Sequence, residues 1–487
     1  MLSDQPPDVA VVGSGPNGLA AAVVMARAGL RVHIYEAATT IGGGARTMPI
    51  FDSGVVHDIC SAVHPMAAAS RFFREFGLAE RGVELLQPDA AYAHPLDQGA
   101  GVAYRSLERT CERLGADGQR WQAFMAPLLE HSTAVVDLML SDQRRLPADV
   151  LTPLLLASRV LQQTAPLASR MFTGPTAPAL LAGVAAHAIG RLPSLPGGAV
   201  SALLGHLAHS TGWPVPRGGS GRIVAAMADD IAAHGGHIST SSPVEDLRQL
   251  ARAKAVLLDI SPAVFVRIAR PVLPQRYLDR LLAFRYGPGA CKVDFLVSSP
   301  IPWADPEVGK AGTVHLGGEH REVFAAETAV ARGDRPDRPF VLVADPSVTD
   351  PGRAADDGKR PVWAYCHVPH GDPADAADAV QARIEQFAPG FSDTVLARRS
   401  MTAPELESYN ANYVGGDIAA GAVDLRQALF RPTPRLNPYR TPLGGVYLCS
   451  ASTPPGPGVH GMCGYFAARA ALRREFGIRD LPSLAPR

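Results

Sequence analysis

The chain has 487 residues, 47% of them hydrophobic and 19% charged. This is a size for two or three domains and a composition that excludes low-hydrophobicity disorder. Its 46 basic residues balance 46 acidic ones, so there is no basic field to track phosphates, and nucleic acid is not an expected partner. Six cysteines, Cys60, Cys111, Cys291, Cys366, Cys449 and Cys463, lie scattered without a CxxC pair or metal-ligand spacing. They argue against a dithiol redox centre and against zinc, and no metal is expected. The opening residues run into an apolar strand without a basic leader or cleavage site, so the expected location is cytoplasmic.

In chain order, residues 8–12 form a short apolar run suited to a buried parallel strand, residues 15–28 a helix of small side chains, and Gly29 its stop. Residues 31–35 give a second strand, completing a βαβ unit. Residues 120–210 read as apolar helices. The stretch 221–244 is a second helix and strand, with Gly235 and Gly236 between them. Residues 284–370 read as strands and 373–390 as a helix. At the end, GGVYLCSAS is a strand, PPGPGVHGMCG a glycine-rich loop and YFAARAALRREFG a helix.

The expected fold is therefore α/β: a Rossmann-like FAD-binding domain built from residues 1–75, 211–262 and 431–487. Inserted into it is an α+β substrate domain, helical in 76–210 and strand-rich in 263–430. Two uncharged stretches, 171–190 and 192–216, approach membrane-spanning length, but Pro, Gly and His interrupt both.

Gly13, Gly15 and Gly18 form GxGxxG between the first strand and helix, with Pro16 and Asn17 inside it and Glu36 closing the second strand. The first glycine permits the tight turn, the second lets backbone approach a pyrophosphate, and the third lets helix pack on strand. The helix N-terminus attracts phosphate, and Pro16 suits its first turn. Glu36 can accept both hydroxyls of an unphosphorylated ribose, as in FAD or NAD. Two further features favour FAD, whose flavin end needs contacts from distant chain. These are Gly42 to Thr47, containing Gly43, Gly44, Ala45 and Arg46, and the C-terminal glycines Gly456, Gly458, Gly461 and Gly464.

The sequence resembles the FAD-dependent amine oxidase and phytoene desaturase superfamily, most closely its phytoene-dehydrogenase-like branch. The resemblance rests on VVGSGPNGLAAA with Glu36, GGGART followed by HDICSAVHP, PRGGSGRI, YNANYVGGDI and LCSASTPPGPGVHGMCGYFAA, and covers nearly the whole chain. It implies that Gly461, Met462 and Gly464 lie along the flavin ribityl chain and pyrophosphate, and that Val244 supplies backbone contacts to adenine. Ser450 stands where many relatives carry Gly in the strand leading to the flavin. In YGPGACKVDFLVSSPIPW, Lys292 and Trp303 match an amine oxidase segment whose strand Lys holds a water against flavin N5. The alternative for Lys292 is an exposed strand position.

His57, His64, His315, His367 and His370 are expected to be structural; His460, beside Gly461, is a catalytic candidate. Tyr409, Asn410, Asn412, Tyr413 and Asp417 line the active site or shape a loop, with Tyr413 the third catalytic candidate. The function expected is hydride removal from a hydrophobic polyene or lipid-like substrate. The alternatives are amine oxidation and a flavin-binding scaffold with little turnover. The expected partners are an apolar small-molecule substrate and an electron acceptor, O₂ or a quinone, with contact to a membrane surface as a further expectation.

Overall fold

Four consecutive apolar residues, Val9–Val12, form the central strand of a five-stranded sheet. The computed structural model describes residues 6–142, 149–164 and 171–486. The sheet is parallel throughout, in the order Val446–Leu448, Ala255–Leu258, Val9–Val12, Val32–Tyr35 and His237–Ser239. A parallel sheet is covered on both faces, which is why its strands are short and uniformly apolar. Val9 and Val11 point to one face, where helices Pro16–Arg27, Gly221–Ala233 and Met462–Ala471 pack. Ala10 and Val12 point to the other, against Phe265, Ile268, Tyr277 and Leu281.

The last four residues sit on helices Pro262–Ala269 and Gln275–Leu282. The chain thus stays with the first sheet to Leu281, past the expected boundary at 262, because the second face of a parallel sheet needs its own apolar cover.

The second sheet has seven strands in the order Val395–Met401, Gly289–Val297, Arg360–Val368, Val341–Ala344, Thr313–Leu316, Ala90–Pro95 and Ala100–Tyr104. It is antiparallel except where Val314 pairs with Ala93. Two of these strands come from the segment expected to be helical, 76–210. Residues 90–104 are apolar on both faces, which hides the period-two signal of a half-exposed strand. The remainder of that segment is helical, including Gly118–Glu130, Leu151–Thr164, Thr176–Ala185 and Leu195–His209.

Along strand Gly289–Val297, Cys291, Val293, Phe295 and Val297 pack towards helix Ala377–Phe387. The alternating residues Lys292 and Asp294 share the opposite face with Trp363 and Tyr365, their cross-strand partners in reverse order.

Candidate active site

The glycine turn has the tight geometry its spacing requires. Gly13 adopts φ +94°, and a Cβ added to Gly18 would lie 2.3 Å from Gly13 O, so helix and strand meet backbone to backbone. Helix Pro16–Arg27 starts with Pro in its first turn and has no side-chain cap of its own. The Gly18 amide donates instead to Asp259 Oδ2 at 2.8 Å. Asn17 is buried, with its Oδ1 unpartnered.

Glu36 ends the second strand beside this turn. Its carboxylate accepts from Ser14 N at 2.9 Å, Ser14 Oγ at 2.5 Å and Ala38 N at 2.8 Å, with Arg46 Nη2 at 3.4 Å. Ser241 and Ser242 donate to Ala38 O and Glu36 O, both at 2.8 Å. They draw the chain past this end of the sheet, where half-buried Val244 packs in the same cluster as Tyr35.

The GGG segment leads away from the turn. A Cβ on Gly43 would lie 3.1 Å from Gly15 Cα, and one on Gly44 would lie 2.4 Å from Tyr413 Oη and 3.6 Å from Cys60 Cβ. Ala45 is fully buried, and Arg46 is fixed by Thr40 O and Tyr409 Oη as well as Glu36. Gly43 and Gly44 thus form a backbone bridge that packs against Gly15 at one end and against Cys60 and Tyr413 at the other. The Tyr413 hydroxyl bonds to Cys60, and burial pushes its pKa well above the usual value.

Beyond Cys60 opens a cavity of about 740 Å³. Its floor is the face of the second sheet carrying Trp363 and Tyr365, and helices Leu151–Thr164 and Leu195–His209 wall it. Residues 60–66 and 455–459 close the end nearest the glycine turn. Among the described lining residues none is Asp, Glu or Lys, and Arg431 is the one with a permanent charge. Burial lowers the lining histidines His64 and His187 to about 4 and about 3, so both are neutral at pH 7. Arg431 is itself buried, donates to Gly421 O at 3.1 Å, and has no partner for Nε.

Lys292 lies on the same face of the sheet as the cavity floor, beside Trp363, though it is not among the lining residues. It is 3% exposed, so the exposed-strand alternative does not hold. It forms an ion pair with Asp294, whose Oδ1 is 3.3 Å from His57 Nδ1, and its Nζ sits 5.8 Å from the Trp363 ring centroid. Trp303, its expected companion, packs instead with the cluster on the other face of the sheet, because the chain leaves that face after Val297.

His460 is also placed differently from its catalytic expectation. Its Nδ1 accepts the Met462 amide at 3.0 Å and its Nε2 faces Gly456 O at 3.1 Å, so neither nitrogen is left for a substrate. It caps the helix Met462–Ala471, which therefore starts three residues earlier than the sequence pattern suggests.

The glycines around His460 answer to packing as well. A Cβ on Gly461 would strike Phe72 Cδ1 at 2.5 Å, and one on Gly464 would lie 1.9 Å from Asn17 O. Gly464 is where the C-terminal helix docks on the helix of the glycine turn. Ser450 closes the last strand of the first sheet, and its carbonyl accepts from both Thr453 N and Thr453 Oγ1.

Asp417, from the cluster named in the sequence, accepts the amides of Gly287, Ala419 and Gly421 beside Arg431, with burial pushing its pKa up. Two groups escaped sequence reasoning. Asp259 lies against the glycine turn, about 240 residues away in sequence. Asp58 joins three segments: it accepts Thr47 Oγ1 at 2.6 Å and Ser220 N at 2.8 Å, and pairs with buried Arg353 at 2.9 Å. Both are single acids at strand ends, and no local spacing marks them. Among the described residues, no three potential metal ligands come together.

The glycine cradle, the acid at the second strand, the orphaned Asn17 Oδ1 and the side-chain-free segment at Gly43 and Gly44 together fit a dinucleotide. Residues 11–76 match the model of the NAD(P)-binding Rossmann-like domain. The chain is similar to the rat (Rattus norvegicus) pyridine nucleotide-disulfide oxidoreductase domain-containing protein 2, 27% identical over 96% of this chain and 93% of that protein. A solved structure of putrescine oxidase with redesigned cofactor binding superposes with a TM-score of 0.59 at 18% identity, covering 96% of this chain and 99% of that one. The fold matches that of FAD-dependent amine oxidases.

A hydroxysqualene dehydroxylase from Sinorhizobium fredii is 36% identical over 15% of this chain and 17% of its own length. The fold is that of a flavin-type oxidoreductase. Among the described residues no helix is long and apolar enough to cross a membrane.

Proposed function

We propose that the protein is an FAD-dependent dehydrogenase or desaturase that removes hydride from a hydrophobic polyene or lipid-like substrate. The observation that carries this reading is the cavity: about 740 Å³, walled by apolar helices and without a carboxylate among its described lining residues. A site of that size and lining suits an apolar molecule of lipid dimensions. A cationic amine would need a carboxylate to offset the loss of its hydration, and the described lining supplies none. Amine oxidation is for this reason the weaker reading.

Bound FAD would supply the hydride acceptor at flavin N5. The chain's own residues would bind and orient it. Gly13, Gly15 and Gly18 keep the backbone open for the pyrophosphate, Glu36 takes the adenosine ribose, and Val244 flanks the adenine. Gly43 to Arg46 lie between the glycine turn and Cys60, at the cavity's edge. Lys292 would hold positive charge beside the cavity floor, oriented by Asp294. Tyr413, against Gly44, would present its hydroxyl beside Cys60. The apolar lining excludes water from the reacting C–H bond.

Leu154, Leu161, Leu425 and Leu429, all more than half exposed, stand on the helices Leu151–Thr164 and Leu425–Phe430 that border the cavity. They support contact with a membrane surface from which such a substrate would enter.

The test is anaerobic. Purified protein should release FAD on heating, and its visible flavin band should bleach with polyenes or long-chain lipids and not with amines. Readmitting O₂ or a soluble quinone then identifies the acceptor, and liposome flotation reports the membrane contact. Colourless protein that takes up no added FAD, or bleaching by amines alone, would overturn the reading.

A further inference from the structure

The anion site of the glycine turn already contains a carboxylate. Asp259 follows the strand Ala255–Leu258, and its Oδ2 accepts the Gly18 amide at 2.8 Å. The same oxygen lies 2.6 Å from the place a Cβ on Gly15 would occupy, and Asp259 O lies 2.8 Å from that of Gly13. All three glycines that keep the turn open for a pyrophosphate thus abut this one residue. Asp259 is buried, and among the described residues no Lys, Arg or His pairs with it.

A negatively charged side chain in this position would face the negative charges of any bound pyrophosphate across a site that excludes water, where like charges repel strongly. A neutral carboxylic acid would not. Such an acid keeps Oδ2 as the acceptor for Gly18 and leaves Oδ1 to carry a proton that can be donated. We propose that Asp259 is a cofactor-positioning residue that acts as a neutral acid, so that loading of the dinucleotide takes up one proton from solution. The inference rests on the reading of this turn as an FAD site.

The surroundings agree. Burial first, and the nearby charge of Glu36 in addition, push the Asp259 carboxyl up to about 7 even without a ligand. Glu36 faces it from the end of strand Val32–Tyr35, and its own nearest cation, Arg46, is engaged with it. Cys449, after the strand Val446–Leu448, and Cys463, on the C-terminal helix, are thiols held neutral by burial, with the charge of Asp259 adding to the effect. Arg431 lies beyond Cys463, next to Asp417. From the segment after Tyr409, Asn412 contributes only a long contact to the Asp259 carbonyl.

The experiment is titration of the apoprotein with FAD by calorimetry, between about pH 6 and pH 9, in two buffers of different ionisation heat. Affinity should be flat below about pH 7 and then fall roughly tenfold per pH unit, with close to one proton taken up per FAD in the alkaline range. Asp259→Asn, which keeps an acceptor for Gly18 and adds a permanent N–H donor, should bind FAD with no pH slope, and about 30-fold more tightly than wild type at pH 8.5. Asp259→Ala, which has neither, should bind weakly at every pH. Wild-type affinity that is flat across the range with no proton uptake would overturn the proposal, and so would an unchanged slope in Asp259→Asn. The proton count on the wild-type protein needs no variant to fold. Absence of FAD binding to every form at every pH would instead overturn the FAD reading itself, and this proposal with it.

Discussion

Adding one methyl group at Gly464 should undo the cofactor turn from behind. The new Cβ would sit 1.9 Å from Asn17 O, 2.8 Å from Ala21 N and 2.9 Å from Asn17 C, against ordinary contacts of 3.4 Å or more. All three are backbone atoms of helix Pro16–Arg27, so no side chain can swing aside. The two helices must part by about 1.5 Å, or the first turn of the glycine helix must deform. Overpacking a close core costs about 1–3 kcal/mol where side chains can adjust. With backbone on one side the cost of Gly464→Ala should reach at least the upper end, on the order of 3 kcal/mol.

The displaced residues are Asn17, inside the glycine turn, and Ala21, so FAD retention should fall along with the thermal midpoint. Gly444→Ala is the matched control, because a Cβ there meets nothing within 4 Å. Differential scanning fluorimetry and FAD content after gel filtration measure both effects. If Gly464→Ala melts with Gly444→Ala and keeps a full complement of FAD, the helices are not packed as described, and Gly464 must be explained by contact with the cofactor.

Glu36→Ala should lower FAD occupancy after dialysis and also lower the melting temperature of the apoprotein, since Ser14 and Ala38 lose their acceptor at a cost of about 1–3 kcal/mol per buried group. Equal apoprotein melting would show that these bonds contribute nothing. Lys292→Met should destabilise by about 3–5 kcal/mol, because it leaves Asp294 buried without its cation. The double variant with Asp294→Leu should recover much of that loss, and a purely additive double variant would refute the pairing.

Stability should also collapse on mild acidification. Seven buried histidines, His64, His94, His187, His206, His209, His315 and His460, have their pKa lowered by burial, most of them to about 4. A depressed histidine stabilises the fold fully above its unfolded value near 6.5, and that stability is lost as pH falls towards 4, by about 1.4 kcal/mol per pH unit for each residue. The raised carboxyls of Asp259, Asp345 and Asp417 act in the opposite sense over part of this window, but three groups do not offset seven. Denaturant midpoints at pH 7 and pH 5 that coincide would contradict the burial of these rings.

What could be read from the sequence depended on how local its cause was. The turn from Gly13 to Gly18 and its acid at Glu36 declare themselves because strand, turn, helix and acid are contiguous, and each residue type has a backbone or phosphate reason. The helix Gly221–Ala233 and its strand were equally plain. The C-terminal glycines were visible, but their purpose was not. Gly461 and Gly464 are required by Phe72 and Asn17, partners roughly 400 residues away that no window of sequence contains.

His460 failed for a related reason, since a histidine next to glycine looks the same whether it meets substrate or caps a helix. Residues 90–104 were missed as strands because both of their faces are buried. Asp259 was read past entirely: within VLLDISP it is one acid after an apolar strand, and only the closing of the sheet sets it against Gly15 and Gly18.

The discontinuity of the first sheet also governs the order in which the molecule can be made. Val9–Val12 finds its neighbour Ala255–Leu258 only after about 240 residues have been synthesised, and that strand finds Val446–Leu448 after nearly 190 more. Such remote pairings are slow, and until they form, the partly built sheet offers a bare apolar edge. The groove on helix Pro16–Arg27 that receives Gly464 stays open for the same interval. A ribosome that stalls between Leu258 and Val446 therefore releases a chain with an unfinished nucleotide fold and exposed strands, the kind of intermediate that aggregates or is captured by chaperones. Supply of FAD during synthesis should accordingly raise yield only after residues 446–471 have emerged. Pulse-labelled synthesis with timed addition of the cofactor can resolve that interval.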